Sequence, residues 1–197
     1  MIFRFFILFS AISLTACFNP FFPDKGTPPP IVSSPARTIQ LLREAYERRD
    51  IFAFENLIYS TAEFSSYTQI SESYTSTLSN FMFEPRVFID SIFPPNRFFP
   101  RGRSYYELKW EQEHRIHSRM FDRAEEIVFL RPLVAGETIF ETDETGTDTI
   151  SALVKTESSQ IRIKYRGQDF TVDATGQIFA MKRRNGAWKI WKWIELN

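Results

Sequence analysis

Apolar positions recur at helical spacing near the start of the globular region. Ile39, Leu42 and Tyr46 stand at i, i+3 and i+7, the period of a helix with one buried face. Ser34 can cap this helix, Pro35 suits its first turn, and Arg48, Arg49 and Asp50 close it. Asp50 can then cap a second short helix, "IFAFENLIY", with Ile51, Phe54 and Ile58 on one face. Further on, Ser104 opens "SYYE", where Ser104 and Glu107 match a capping box. This predicts a long helix from Ser104 to about Phe121 or Arg123. Its face carries Tyr106, Trp110, Glu113, His117 and Phe121, aromatic at both ends and polar in the middle.

After the long helix the chain reads as strands. "EEIVFLRPLV", "TISALVKTE", "QIRIKYRG", "DFTV", "GQIFAMKRR" and "AWKIWKWIEL" all have strand character. Asn185-Gly186 between the last two is the strongest hairpin signal, because both residues tolerate the positive φ of a type I′ turn. Strict alternation in the last strand points Trp188, Ile190, Ile194 and Leu196 one way, and Lys189, Trp191, Trp193 and Glu195 the other. Both faces then carry large apolar groups, so the strand is central and covered on both sides, or its outer face meets a partner.

Residues 60–102 break these periods. The Ser/Thr-rich stretch "STAEFSSYTQISESYTSTLSNF" is compatible with short strands or with an ordered loop. "FPPNRFFPRG" is loop, punctuated by Pro94, Pro95 and Pro100. The phenylalanines from Phe81 to Phe99 imply that this insertion packs against the rest of the domain, either as a lid over the core or across the outer sheet. Cover across the outer sheet leaves no apolar patch for a partner and predicts a monomer rather than a homodimer.

Composition changes the picture at two points. The 24 basic and 24 acidic residues balance, which argues against a nucleic-acid binder. Cys17 is the single cysteine, so no internal disulfide is available. The first residues, "MIFRFFILFSAISLTAC", combine Arg4, an apolar run from Phe5 to Leu14 and small residues. That run is too short for a membrane-spanning helix, which needs about 20 apolar residues, and reads as a signal peptide. Leu14-Thr15-Ala16-Cys17 resembles the lipobox of bacterial lipoprotein precursors. The resemblance implies cleavage after residue 16, acylation of Cys17 and anchoring to a lipid bilayer. Two or more acyl chains make such an anchor stable. Phe18 is not the Asp that favours inner-membrane retention in enteric-type bacteria, so the periplasmic side of the outer membrane is the expected address. Residues 17–34 are a Pro-rich tether, and residues 35–197 form one domain.

The order of elements, together with "LLREAYERRDIFAFENLI" and "GQIFAMKRRNGAWKIWKWIEL", resembles the nuclear transport factor 2-like superfamily. "LLREAYERRDIFAFENLI" is similar to its two opening helices. "GQIFAMKRRNGAWKIWKWIEL" is similar to its last hairpin, with a Gly-x-Trp turn and a Trp-x-Ile strand. The resemblance implies an α+β fold: a strongly curved antiparallel sheet wrapped over helices, forming a cone with an apolar pocket. Members include isomerases, dehydratases and cyclases as well as domains without catalysis, so the fold alone does not choose among them.

The candidate pocket therefore comprises Tyr106, Trp110, Glu113, His117 and Phe121. His117 is the candidate general base of an enzyme reading, with Glu113 one turn away. The alternative is that "EQEHRIH" is a solvated helix face. Glu111 and His114 have the i, i+3 spacing of di-iron bundles, but no second such motif accompanies them, so no metal is expected. Asp143, Asp148, Asp169 and Asp173 sit beside turn glycines and read as turn acids. Phosphate loops, nucleophile elbows and zinc signatures are absent from the sequence, and no cofactor is expected. "KRRNG" is a basic hairpin tip suited to anionic headgroups. The expectation is a non-catalytic, envelope-anchored domain that binds an envelope protein or a small apolar ligand.

Overall fold

The computed structural model describes residues 34–68, 86–88, 104–142 and 149–196. Helix α1 (Pro35–Arg48) begins as its sequence dictates. Ser34 is extended at φ −148°, and its hydroxyl accepts from the Arg37 N–H at 3.1 Å, which satisfies one of the amides a first helical turn leaves unpaired. The helix buries Ile39, Leu42, Ala45 and Tyr46 and ends at Arg49 with φ 55°. Asp50 caps α2 (Ile51–Glu55), its carboxylate accepting from the Ala53 N–H at 2.9 Å. This second helix is shorter than expected: Ile58 has left it to bridge Ile190 in parallel.

The expected start of the long helix is corrected. Ser104–Lys109 is a strand, β3, and the helix, α3, runs Trp110–Arg123. The Ser104–Glu107 pattern is a local signal, whereas β3 is laddered on both sides, to β1 (Ser65–Thr68) and β2 (Arg86–Phe88). Burial of Tyr105 and Leu108 within that ladder outweighs one N-cap, which is worth about 1 kcal/mol. The helix opens instead where the Lys109 N–H donates to Gln112 Oε1 at 2.8 Å.

The remaining strands are β4 (Glu126–Arg131), β5 (Ala135–Thr142), β6 (Thr149–Thr156), β7 (Ser159–Tyr165), β8 (Gln168–Ala174), β9 (Gln177–Arg184) and β10 (Ala187–Glu195). They build a sheet of order β2-β3-β1-β10-β9-β6-β5 and a second of order β4-β7-β8. Among these ladders only β1–β10 is parallel. The two sheets are halves of one bent ribbon, since β6 runs into β7 and β8 into β9 through Glu157–Ser158 and Thr175–Gly176. At the bend Thr156 Oγ1 accepts from the Gln177 N–H at 3.0 Å. Gly176 has φ 141°, and a β-carbon there would stand 3.3 Å from the Thr156 carbonyl oxygen, so the corner suits glycine. At the end of β9, Asn185 and Gly186 take φ 52° and 77°, the expected hairpin turn. The expected class holds: α+β, with a strongly bent antiparallel sheet packed on the N-terminal helices.

One irregularity decides which residues face inward. The β10–β9 register shifts between Ile190 and Lys192, so Trp191 is an extra residue in a β-bulge and the alternation inverts past it. Trp188, Ile190 and Trp193 consequently share the core with α1 and α3. Ile194 lies in the opposite cluster with Tyr67, Tyr105 and Ile178, and Trp191 and Leu196 pack against it. The expectation that Trp191 and Trp193 share the outer face is thus corrected. The outer cluster is buried; the segment expected to cover it, Phe81 to Phe99, falls largely outside the described residues, as do Asp143, Asp148 and residues 1–33.

Candidate functional site

Helix α3 brings Trp110, Glu113, His117 and Phe121 onto one face, with the last three buried. Tyr106 is not on that helix: it lies on β3, paired with Thr68 of β1. Opposite α3 the neighbouring strands present three polar residues inward. Ser66 pairs with Trp193 and Thr68 with Glu195 along the parallel β1–β10 ladder, so alternation from the inward-facing Trp193 carries Glu195 to the same side.

His117 is 5% exposed and both its ring nitrogens are engaged. Nδ1 lies 2.8 Å from the Glu113 carbonyl oxygen and 3.2 Å from Glu113 Oε2. Both are acceptors, so Nδ1 carries the proton. In the neutral ring Nε2 is then the acceptor, and Tyr46 of α1 donates its hydroxyl to it. Glu113 is equally occupied, since Ser66 donates its hydroxyl to Oε1. The chain Tyr46–His117–Glu113–Ser66 therefore ties α1, α3 and β1 together through the core, and each link satisfies a group that would be expensive to bury alone.

Aromatic rings close the space around this chain. The His117 ring stacks on Phe54 at 4.4 Å between centroids, 17° from parallel. Tyr46, Phe121 and Trp193 approach it at 5.3, 6.0 and 5.8 Å. A general base needs an edge within hydrogen-bond reach of substrate; here both edges are bonded to protein and one face is stacked.

Glu195 is different. Its Oε2 accepts from Thr68 Oγ1 at 2.9 Å. Burial pushes its carboxyl up to about 7, the Glu113 carboxylate adds to the rise, and the Thr68 hydroxyl and His117 act against it. Close by, the Trp193 indole N–H is buried without a partner. Glu195, Trp193 and Thr68 are polar groups of the inner face that helical spacing on α3 does not reveal, and the same holds for Ser66 and Tyr46. Alternation in "SSYT" carries a signal for Ser66 and Thr68. Glu195 and Trp193 carry none, because the bulge hides their direction.

Trp110, at the start of that face of α3, also borders its edge, where its ring centroid lies 5.3 Å from that of His114. Trp110 stacks on Phe54 at 6.0 Å and His114 Nε2 meets Glu55 Oε1 at 2.7 Å. With Glu111, Arg115, Ser118 and Arg119 they line an open, polar recess of about 410 Å³. Among the described residues no three His, Cys, Asp or Glu side chains converge as a metal site, and no helix is long and apolar enough to cross a membrane. Asp169 and Asp173 are exposed on β8, and Asp173 accepts from Gln160 Nε2 at 2.8 Å.

No family model matches the chain, and no curated protein matches it. Solved structures do. A nuclear transport factor 2-like superfamily protein from Salmonella enterica serovar Typhimurium is 11% identical, with 82% of this chain and 87% of that one covered and a TM-score of 0.49. A nuclear transport factor 2-like protein of unknown function from Shewanella oneidensis is 9% identical over 82% and 94% of the two chains, with a TM-score of 0.47. A third, from Cytophaga hutchinsonii, is 14% identical over 80% and 90%, with a TM-score of 0.44. These are likenesses of fold between distant sequences, and they carry no argument about activity.

Proposed function

We propose that the chain is a lipid-anchored cell-envelope protein whose globular domain binds or scaffolds rather than catalyses. The observation that carries the non-catalytic part is the closure of His117, which is bonded at both nitrogens and stacked on Phe54. Its network serves to hold α1, α3 and β1 in register. The anchor rests on Leu14-Thr15-Ala16-Cys17 behind an apolar run with Arg4 ahead of it. Acyl chains on Cys17 would hold the protein on the periplasmic side of the outer membrane, with residues 17–34 as spacer. The candidate partners are another envelope protein or a small apolar ligand. Labelled palmitate should be incorporated by the wild-type chain and lost in Cys17→Ser; equal incorporation by the variant would sink the anchor.

An alternative reading, a small pocket enzyme of the isomerase, dehydratase or cyclase type, is favoured by Glu195. A carboxyl pushed up to about 7 by burial suits proton transfer near neutrality. In that reading Glu195, not His117, takes the proton. Turnover of enolisable ketones by the wild-type chain and its loss in Glu195→Gln would establish it, and an inert wild type would remove it.

A further inference from the structure

One rung of the large sheet is polar on its inner face, whereas the rung beside it is mostly apolar. Tyr106 of β3, Thr68 of β1, Glu195 of β10 and Gln177 of β9 are paired in line across four strands, and residues in register point to the same side of a sheet. The neighbouring rung carries Leu108, Trp193 and Phe179, all buried. Thr156 of β6 adjoins Gln177, its hydroxyl accepting from the Gln177 N–H at 3.0 Å and donating to the Gln177 carbonyl at 3.3 Å. Both threonine hydroxyls of this region are therefore engaged, since Thr68 donates to Glu195 Oε2.

Two polar groups are left over. Among the described residues no hydrogen bond reaches Glu195 Oε1. The Gln177 side-chain amide is likewise unbonded there, although the residue is only 9% exposed. Cross-strand partners stand about 5 Å apart at their β-carbons, so the carboxyl and the amide lie side by side. The charge around them is of one sign. Glu113 of α3 acts on Glu195 as a second carboxylate, and His117 opposes it, with its own Nδ1–H turned to Glu113. Among the described residues no lysine or arginine pairs with Glu195 or Glu113. Arg86 stands at the β2 position of the rung, three strands away, or roughly 14 Å at a spacing of about 4.8 Å. An ionised Glu195 thus lacks the cation that makes a sequestered carboxylate tolerable. Glu195 keeps partial exposure, which lets a small molecule reach Oε1.

We propose that Glu195 and Gln177 bind the ammonium group of a small amine with an apolar body. An ammonium carries three donors and no acceptor. Glu195 Oε1 and the Gln177 side-chain oxygen offer it two acceptors on adjacent strands, and the cation supplies the charge that Glu195 and Glu113 lack. The proposal rests on the reading of the domain as a binding module and gives its small ligand a chemical class. It uses neither His117, whose nitrogens stay engaged, nor the anchor.

The test titrates benzylamine into the full chain by calorimetry, with benzyl alcohol as its uncharged match. Saturable binding of the amine is expected, with the alcohol weaker by about tenfold or more. The amine stays protonated across the working range and binds the ionised carboxyl. Its affinity should therefore rise through the Glu195 titration at about 7, by about tenfold from pH 6 to pH 8, with protons released on binding. Glu195→Gln should weaken the amine about tenfold at pH 8 and remove the pH dependence. The comparison of probes and the pH profile use the wild type alone, so they decide the matter even if the variant fails to fold. Benzyl alcohol bound as tightly as benzylamine, amine binding indifferent to pH, or no binding of either probe overturns the proposal. The non-catalytic reading of the domain fails separately, by turnover of enolisable ketones, whatever these titrations show.

Discussion

Glu195→Gln should stabilise the protein above neutral pH and change its stability little in acid. The folded chain holds the Glu195 carboxyl at about 7, from an ordinary 4.5. Below pH 4.5 the carboxyl is protonated in the folded and unfolded chains alike, and its burial is tolerated. Between 4.5 and 7 the unfolded chain releases the proton while the folded chain keeps it, so stability falls as pH rises. Above 7 the full difference applies. Each tenfold in proton affinity is about 1.4 kcal/mol, which makes the penalty about 3 kcal/mol at pH 8. Gln is nearly isosteric, keeps an acceptor for Thr68 Oγ1 and carries no charge. For a chain of this size about 3 kcal/mol corresponds to a rise of roughly 6–12 °C in Tm. Guanidinium or thermal unfolding of both proteins between pH 5 and 8 reads it directly. The wild type should lose stability across that window and the variant should not. A variant that melts at or below the wild type at pH 8 would show that the Glu195 carboxylate is paired or solvated, and the reasoning about its burial would fail.

The bulge makes the tryptophans unequal. Trp193→Ala should cost about 3–5 kcal/mol, as for a large core aromatic, and Trp191→Ala markedly less, because Trp191 is half-buried under two lysines. Equal losses in chemical denaturation would mean that the register past Ile190 is misread. The domain is expected to sediment as a monomer at micromolar concentration. A dimer that Trp191→Glu dissociates would show the outer face to be an interface.

What the sequence disclosed was whatever short-range chemistry settles. Ser34, Asp50 and Asn185-Gly186 act within a few residues of themselves, and each does what its side chain or backbone freedom dictates. The start of α3 was not legible, because Ser104 and Glu107 satisfy a local pattern while β3 is decided by ladders to residues distant in the chain. The inward set on β10 was half legible. Trp188 and Ile190 follow from alternation, but a bulge at Trp191 leaves no mark in composition or period, and everything beyond it was read inside out. The candidate residues divide in the same way: helical spacing places Glu113, His117 and Phe121 on one buried face, whereas Tyr46 reads as one more apolar position on α1 and supplies the hydroxyl that occupies His117.

That occupancy is the point on which the account turns. With two histidines in the chain, long-range ¹H–¹⁵N correlation of the ¹⁵N-labelled protein resolves each ring. His117 should appear as the Nδ1–H tautomer with Nε2 accepting a hydrogen bond, and Tyr46→Phe should move its Nε2 resonance. An Nε2–H tautomer, or a His117 ring exchanging between tautomers and indifferent to Tyr46→Phe, would contradict the closed network and return His117 to candidacy as a catalytic base.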